Sequence, residues 1–206
     1  MRPEVSAYHA QLETLVAFVE GRADGPALDS ALATEEMRAL LGAFEDARYP
    51  ASTNFFRKLH NGADRTSLGG LVNSEGIVEQ FLRQADVSCR PLKRYGNLYG
   101  LILAAMPNYV DPPLEFITEK ILPTDDTLSD AAKKKQMKQR VKELFRYTDK
   151  PTPWIQGADW PIRDGRPLIF VGQVPIDAPE LFHDKGGAFV FFDPSDGQFE
   201  TVSQFY

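Results

Sequence analysis

The chain has little of what most catalytic or covalently stabilised proteins use: one cysteine, two tryptophans and three histidines in 206 residues. The single cysteine, Cys89, excludes an internal disulfide and any metal site built on cysteine pairs, so packing must stabilise the fold. No stretch comes near the run of about 18 apolar residues that spans a bilayer, and the N-terminal residues lack the apolar core of a secretory signal. We therefore expect a cytoplasmic protein that does not enter a membrane.

Motifs for catalysis are also missing. The sequence contains no G-x-x-x-x-G-K-[ST] loop for phosphate, and His9, His60 and His183 stand far apart and outside any H-E-x-x-H arrangement. Basic residues around Cys89 would lower the pKa of its thiol, but no histidine partner is identifiable, which favours an ordinary half-buried cysteine. We expect no catalytic residues, no cofactor and no metal, and hence a protein that is not an enzyme.

Charge is distributed unevenly along the chain. The net charge is −6, which argues against general affinity for nucleic acid. Residues 128–150 carry 8 basic and 3 acidic side chains, whereas residues 151–206 carry 3 basic and 8 acidic ones. The basic run, KKKQMKQRVK, is typical of a solvated helix face, and the alternative is a patch for an anionic partner such as nucleic acid.

Helical patterns fill the first two thirds of the sequence. Apolar residues recur every three or four positions from Val5 to Val19, and Gly21 is a natural helix end. Shorter helices are predicted after Pro26, after the capping residue Thr34, over NFFRKLHNG and from a cap at Ser74, with the glycine pairs 69–70 and 186–187 as turns. The apolar stretch LYGLILAAM is predicted to be helical, and a long basic helix is expected over 127–147.

The pattern changes after Pro151. PLIFVGQV, GAFVFFD and QFETVSQFY are short, rich in β-branched and aromatic residues, and separated by turn sequences such as PSDG. They predict an α+β protein in which a mostly α-helical N-terminal part carries a small antiparallel β-sheet at the C-terminus. We expect a helical domain over 1–126 and a β-sheet module over 151–206 that packs on the helices. A long basic helix over 127–150 is expected to link the two and to cover the sheet.

The tail also contains a pattern of tryptophans, prolines and glycines. Its order and spacing resemble those of the YwqG-like family, a bacterial domain of unknown function that supplies no established catalytic residues. The positions that carry the resemblance are Pro153, Trp154 and Gln156, then Trp160 and Pro161, then Gly165, Pro167, Leu168, Phe170, Gln173 and Val174, then Gly187, Phe189, Phe191, Phe192 and Asp193. The resemblance covers about the last quarter of the chain and implies a shortened version of that domain.

A second resemblance concerns FVEGRADGPALDSAL, which is similar to the early helix end of immunity proteins from bacterial polymorphic toxin systems. It implies a protein that neutralises a cognate toxin by occlusion, and an acidic inhibitor suits a nuclease, whose cleft is cationic. The predicted partner-binding residues lie in the tail: Trp154, Trp160, Asp164, Asp184, Asp193, Asp196 and Glu200. For the two tryptophans the alternative is a place in the core.

Two rival hypotheses belong to other classes. In the first, the tail is a small-molecule binding or enzymatic domain of the YwqG-like type, with aromatic and glutamine residues lining a pocket. In the second, the helix from Lys133 to Lys142 is an adaptor for nucleic acid, and its binding would weaken steeply with salt. Because acidic residues are in excess elsewhere in the chain, this nucleic-acid hypothesis is the least favoured of the three.

Overall fold

The computed structural model describes residues 5–46, 53–62, 64–177 and 184–206. The chain divides into two compact units, Met1–Gly100 and Leu101–Tyr206. The described residues of the first unit form helices, and those of the second form helices and two small antiparallel sheets. The predicted α+β class is therefore confirmed.

Helices of the first unit begin and end largely where the sequence signals stand. The carboxylate of Asp24 and the hydroxyl of Thr34 each accept a backbone N–H of the helix that follows, and Gly21 has a φ of +73° after the first helix. A 3₁₀ turn, Val5–Tyr8, leads into α1. The helices are α1 (His9–Val19), α2 (Gly25–Leu32), α3 (Glu35–Gly42), α4 (Phe55–Gly62), α5 (Leu68–Gln84) and α6 (Arg94–Ala105), and α6 runs across the boundary between the units.

Helix α5 begins earlier than the sequence predicts. Its cap is Ser67, whose hydroxyl oxygen accepts the N–H of Gly70 at 3.1 Å, whereas Ser74 is buried inside the helix. The prediction of a turn at residues 69–70 is also wrong, because both glycines lie in the first turn of α5. The backbone of Gly70 lies so close to the carbonyl of Asp64 that a Cβ atom there would collide with it, so only glycine fits.

The second unit opens with helices that carry aromatic side chains toward the sheet. A short helix, α7 (Leu114–Phe116), continues as the π-helical turn Ile117–Ile121. The basic helix α8 spans Asp130–Leu144 and is shorter at both ends than predicted. Its start is fixed by the hydroxyl of Ser129, which caps the helix by accepting the N–H of Ala132. In the described part of the chain, no helix has the length and apolar character needed to cross a membrane.

In the described residues after α8, the chain forms five strands. A two-residue hairpin, β1 (Ile162–Arg163) with β2 (Arg166–Pro167), precedes a three-stranded antiparallel sheet in the order β3 (Ile169–Ile176), β4 (Gly186–Asp193), β5 (Gln198–Phe205). The three strands of the larger sheet were predicted, but the two-residue hairpin was not, and the turn expected at residues 186–187 is wrong, because these glycines begin β4. A Cβ on Gly186 would meet the aromatic ring of Phe205 on β5, its pairing partner.

Candidate functional site

Trp160 belongs to the core of the second unit. Its side chain is 7% exposed, and its ring packs edge-on against Phe145, just after α8, at 5.5 Å and against Phe191 of β4 at 5.3 Å. The indole N–H donates to the carbonyl oxygen of Leu168 at 2.8 Å, which satisfies the buried polar group. The core alternative therefore describes Trp160, and its ring is not available as a docking surface.

Trp154 covers the same face of the sheet from the loop before β1. Its half-buried ring lies 4.7 Å from the ring of Phe189 and 5.9 Å from that of Phe191, and its indole N–H donates to the carbonyl of Tyr109. The loop is fastened to β5 through the side chain of Gln204, which accepts the backbone N–H groups of residues 155 and 156 and donates to the carbonyl of residue 157. We name residues 151–161 the tryptophan loop, and this loop covers one face of the sheet.

The opposite face of this sheet carries exposed apolar side chains, beside the polar Thr201 and Ser203 of β5. Strand register places Val174, Val190, Phe192 and Phe199 on that face, and we name these four residues the open sheet face. Phe199 is 64% exposed and Val174 is 56% exposed, while the ring of Phe192 lies 5.2 Å from that of Phe199. A contiguous apolar surface of this kind is typical of an interaction site.

Acidic residues from β4, the following turn and β5 gather around one arginine. The guanidinium of Arg163 donates to Asp193 at 3.4 Å, to Asp196 at 3.1 Å and to Glu200 at 2.9 Å. Arg166 joins this group through Ser195 at 3.1 Å and lies 3.9 Å from the carboxylate of Asp164. We name these two arginines and four carboxylates the arginine cluster.

Asp193 is the most buried member of the arginine cluster, with 1% of the residue exposed. Its Oδ1 accepts the hydroxyl of Ser195 at 2.6 Å and the backbone N–H of the same residue at 2.9 Å. These hydrogen bonds, with smaller contributions from Arg166 and Arg163, lower the pKa of Asp193 below its ordinary value. Asp193 is therefore ionised at neutral pH and anchors the turn that joins β4 to β5.

The structure brings only part of the predicted site together. Asp193, Asp196 and Glu200 meet at Arg163, and Asp164 lies beside them near Arg166. Asp184 is exposed before the first residue of β4, whereas Asp193 is the last residue of that strand, so it stands apart from the arginine cluster.

Sequence reasoning missed the arginines and the four residues of the open sheet face. The signal for the second group was present, because alternation along FVFFD and QFETV assigns Phe192 and Phe199 to one face once the two segments pair. The arginines carry no such signal, because Arg163 and the acids that it contacts lie 30 or more residues apart in the chain.

The structure lends no support to a chemical role for Cys89 or for the two histidines that it describes, His9 and His60. Burial first, and then the charges of Glu20 and Glu79, raise the pKa of Cys89, contrary to the lowering expected from its basic neighbours. His60 stacks on the ring of Phe56 at 5.2 Å, His9 is exposed on α1, and His183 lies outside the described residues. No group of three or more histidine, cysteine or carboxylate side chains suited to a metal ion occurs within the described ranges.

Comparison with known proteins adds no relative. No protein-family model matches the chain, and neither a curated protein nor a solved structure matches it significantly.

Proposed function

We propose that this protein is a non-catalytic, immunity-type inhibitor that binds a cognate bacterial toxin and covers the toxin's working surface. The observation that carries the proposal is the open sheet face. One side of the three-stranded sheet packs on the tryptophan loop, and the other presents Val174 and Phe199 to solvent. Burial of such a surface is the main source of affinity in protein complexes, and exposed aromatic residues are frequent hot spots.

Charge at one end of the sheet suits a cationic partner. The arginine cluster holds four carboxylates and two guanidinium groups, which leaves it with two negative charges. Phe192 and Phe199 directly precede Asp193 and Glu200 along β4 and β5, so the cluster lies at the same end of these strands with its carboxylates on the other face of the sheet. A nuclease toxin presents a cationic cleft to nucleic acid, so negative charge at one end of the sheet favours its capture in the cytoplasm.

The rival small-molecule hypothesis can draw on a groove of about 290 Å³ lined in part by Phe170 and Gln173, but its tryptophans and Gln156 lie elsewhere. It requires the aromatic and glutamine side chains to line a pocket, but Trp154 and Trp160 pack on phenylalanine rings. Gln156 donates to the carbonyl of Phe205 at 2.7 Å. These contacts commit the side chains to holding the loop against the sheet, which favours the protein-binding hypothesis.

The decisive experiment uses toxins encoded beside the gene of this protein. Each candidate is expressed with and without the wild-type chain, and survival and direct binding of the purified proteins are measured. We expect one candidate to be bound and neutralised. Phe199→Ser should weaken that complex by at least about 30-fold, the loss expected for a hot-spot residue.

Leu103→Ser is the matched control. Leu103 is 61% exposed on α6, so the substitution removes a similar amount of exposed apolar surface outside the sheet. We expect it to leave toxin binding unchanged. If no neighbouring toxin is bound, or if the two variants weaken binding equally, the proposed function is wrong.

A further inference from the structure

A cavity of about 320 Å³ lies between the end of α6 with the loop after it and one face of α8. Its apolar lining includes the buried residues Ala105 and Val141 together with Met106 and Pro107. Lys138 and Lys142, both exposed on α8, line the same cavity. An apolar interior with a few polar groups at its edge is the usual composition of a small-molecule site, and the volume is near the lower end of such sites.

The two lysines belong to a longer cationic stripe. A neighbouring groove of about 340 Å³ is lined by Lys134, Lys135, Lys138 and Lys142, so the last two lie between the groove and the cavity. Within the described part of the chain, none of these four lysines has a carboxylate within ion-pair distance. The stripe therefore carries positive charge that the fold does not neutralise.

The arrangement of these charges weakens α8 rather than stabilising it. Lys134, Lys138 and Lys142 are spaced four residues apart, so adjacent members lie on one helix face and repel each other. The nearby Glu143 accepts a hydrogen bond from Gln139 at 2.7 Å, and Asp126 lies 4.0 Å from Lys133. An anionic ligand on the stripe would remove this repulsion. Charge complementarity therefore favours a negatively charged ligand for the cavity.

We propose that the cavity binds a small organic carboxylate with an apolar body, of the type of a medium-chain fatty acid. The carboxylate lies between the ammonium groups of Lys138 and Lys142, and the apolar body contacts Ala105, Met106 and Val141. This site is independent of the open sheet face and of toxin binding.

Tyr109 is compatible with this ligand. Burial, and then the neighbouring Tyr147, raise the pKa of Tyr109, so its hydroxyl stays protonated at neutral pH. The tyrosine that lines the cavity therefore adds no negative charge that would repel a carboxylate.

The test is calorimetric titration of the full chain with decanoate, decanol and inorganic phosphate. We expect decanoate to bind at least about tenfold more tightly than decanol, because a charge-assisted hydrogen bond adds that much affinity, and also more tightly than phosphate, which has no apolar body. Comparable affinity for decanoate and decanol, or no binding of decanoate at millimolar concentration, would overturn the proposal.

Variants locate the ligand. Lys138→Gln combined with Lys142→Gln should lower decanoate affinity about tenfold or more through loss of the charged donors. Ala104→Phe, at an exposed position that lines the cavity, should block the apolar body and abolish binding. Circular dichroism checks that each variant folds.

Two controls separate this site from other surfaces. Lys135→Gln makes the same type of charge change on α8 outside the cavity and should leave the affinity for decanoate close to that of the wild type. Phe199→Ser removes the aromatic centre of the open sheet face and should have no effect. If either control weakens decanoate binding as much as the lysine pair does, the site is not the cavity.

Discussion

Asp193 shows how one side chain can combine a structural role with a sensitivity to pH. The residue is buried, yet its charge is satisfied by Ser195 on one oxygen and by Arg163 on the other. An ionised carboxylate is costly to bury without such partners, so these contacts decide that the charged form is the stable one. The arginine cluster is for this reason a fixed part of the β4–β5 turn.

Asp193→Asn should change how stability depends on acid. Because the pKa of Asp193 is lowered in the folded chain from its ordinary 3.8, its ionised form stabilises the fold. This contribution is complete above pH 3.8 and is lost as the pH falls through the lower, folded-state pKa. We expect the wild type to be more stable at neutral pH and the two stability curves to converge in acid, as measured by urea unfolding at a series of pH values.

Asp164→Asn is the control for this experiment, because Asp164 makes the same charge change at an exposed position of the arginine cluster. It should leave the acid dependence close to that of the wild type. Glu20, Asp64 and Asp125 also have lowered pKa values, but they are present in every chain compared and cancel in the difference. A gap between wild type and Asp193→Asn that stays constant down to the lowest pH would contradict the argument.

At the scale of the element, substitution of two serines in and before α5 should affect stability differently. Ser67→Ala removes the oxygen that accepts the N–H of Gly70 and should lower the free energy of unfolding by about 1 kcal/mol. Ser74→Ala removes a buried hydroxyl that has no hydrogen-bond partner among the described residues and should leave stability unchanged or raise it slightly. Denaturant unfolding of the two variants measures both effects, and the reverse order would restore Ser74 as the cap.

The same two serines show how far the sequence predicts the elements. The cap at Thr34, the helix start beside Pro26 and the three long strands of the tail follow from local signals, because each depends on residues close together in the sequence. The start of α5 does not follow, since glycine pairs are typical of turns. The helix starts at the Ser67 cap, and the close approach of the Asp64 carbonyl requires glycine at position 70, a contact that composition does not reveal.

For the whole molecule, the excess of negative charge in the tail could be counted from the sequence, but its placement could not. Arg163 meets acids that are 30, 33 and 37 residues away in the chain, and this meeting depends on the register of β4 with β5. The open sheet face likewise depends on which side of the sheet the tryptophan loop covers. Sequence periodicity gives two faces to a strand and leaves open which of them faces solvent.

Charge and apolar contact should act on different steps of toxin binding. Asp196→Asn combined with Glu200→Gln removes negative charge from the arginine cluster and should slow association and reduce its dependence on salt, because charge steers diffusional encounter. Phe199→Ser should act mainly by speeding dissociation, since it removes a contact made only in the docked complex.

Stopped-flow association and surface-plasmon dissociation at several ionic strengths measure both rates. Glu35→Gln combined with Glu36→Gln, in the first unit, is the charge-matched control. Equal slowing of association by the control pair would mean that net charge, and not the tail, steers the encounter.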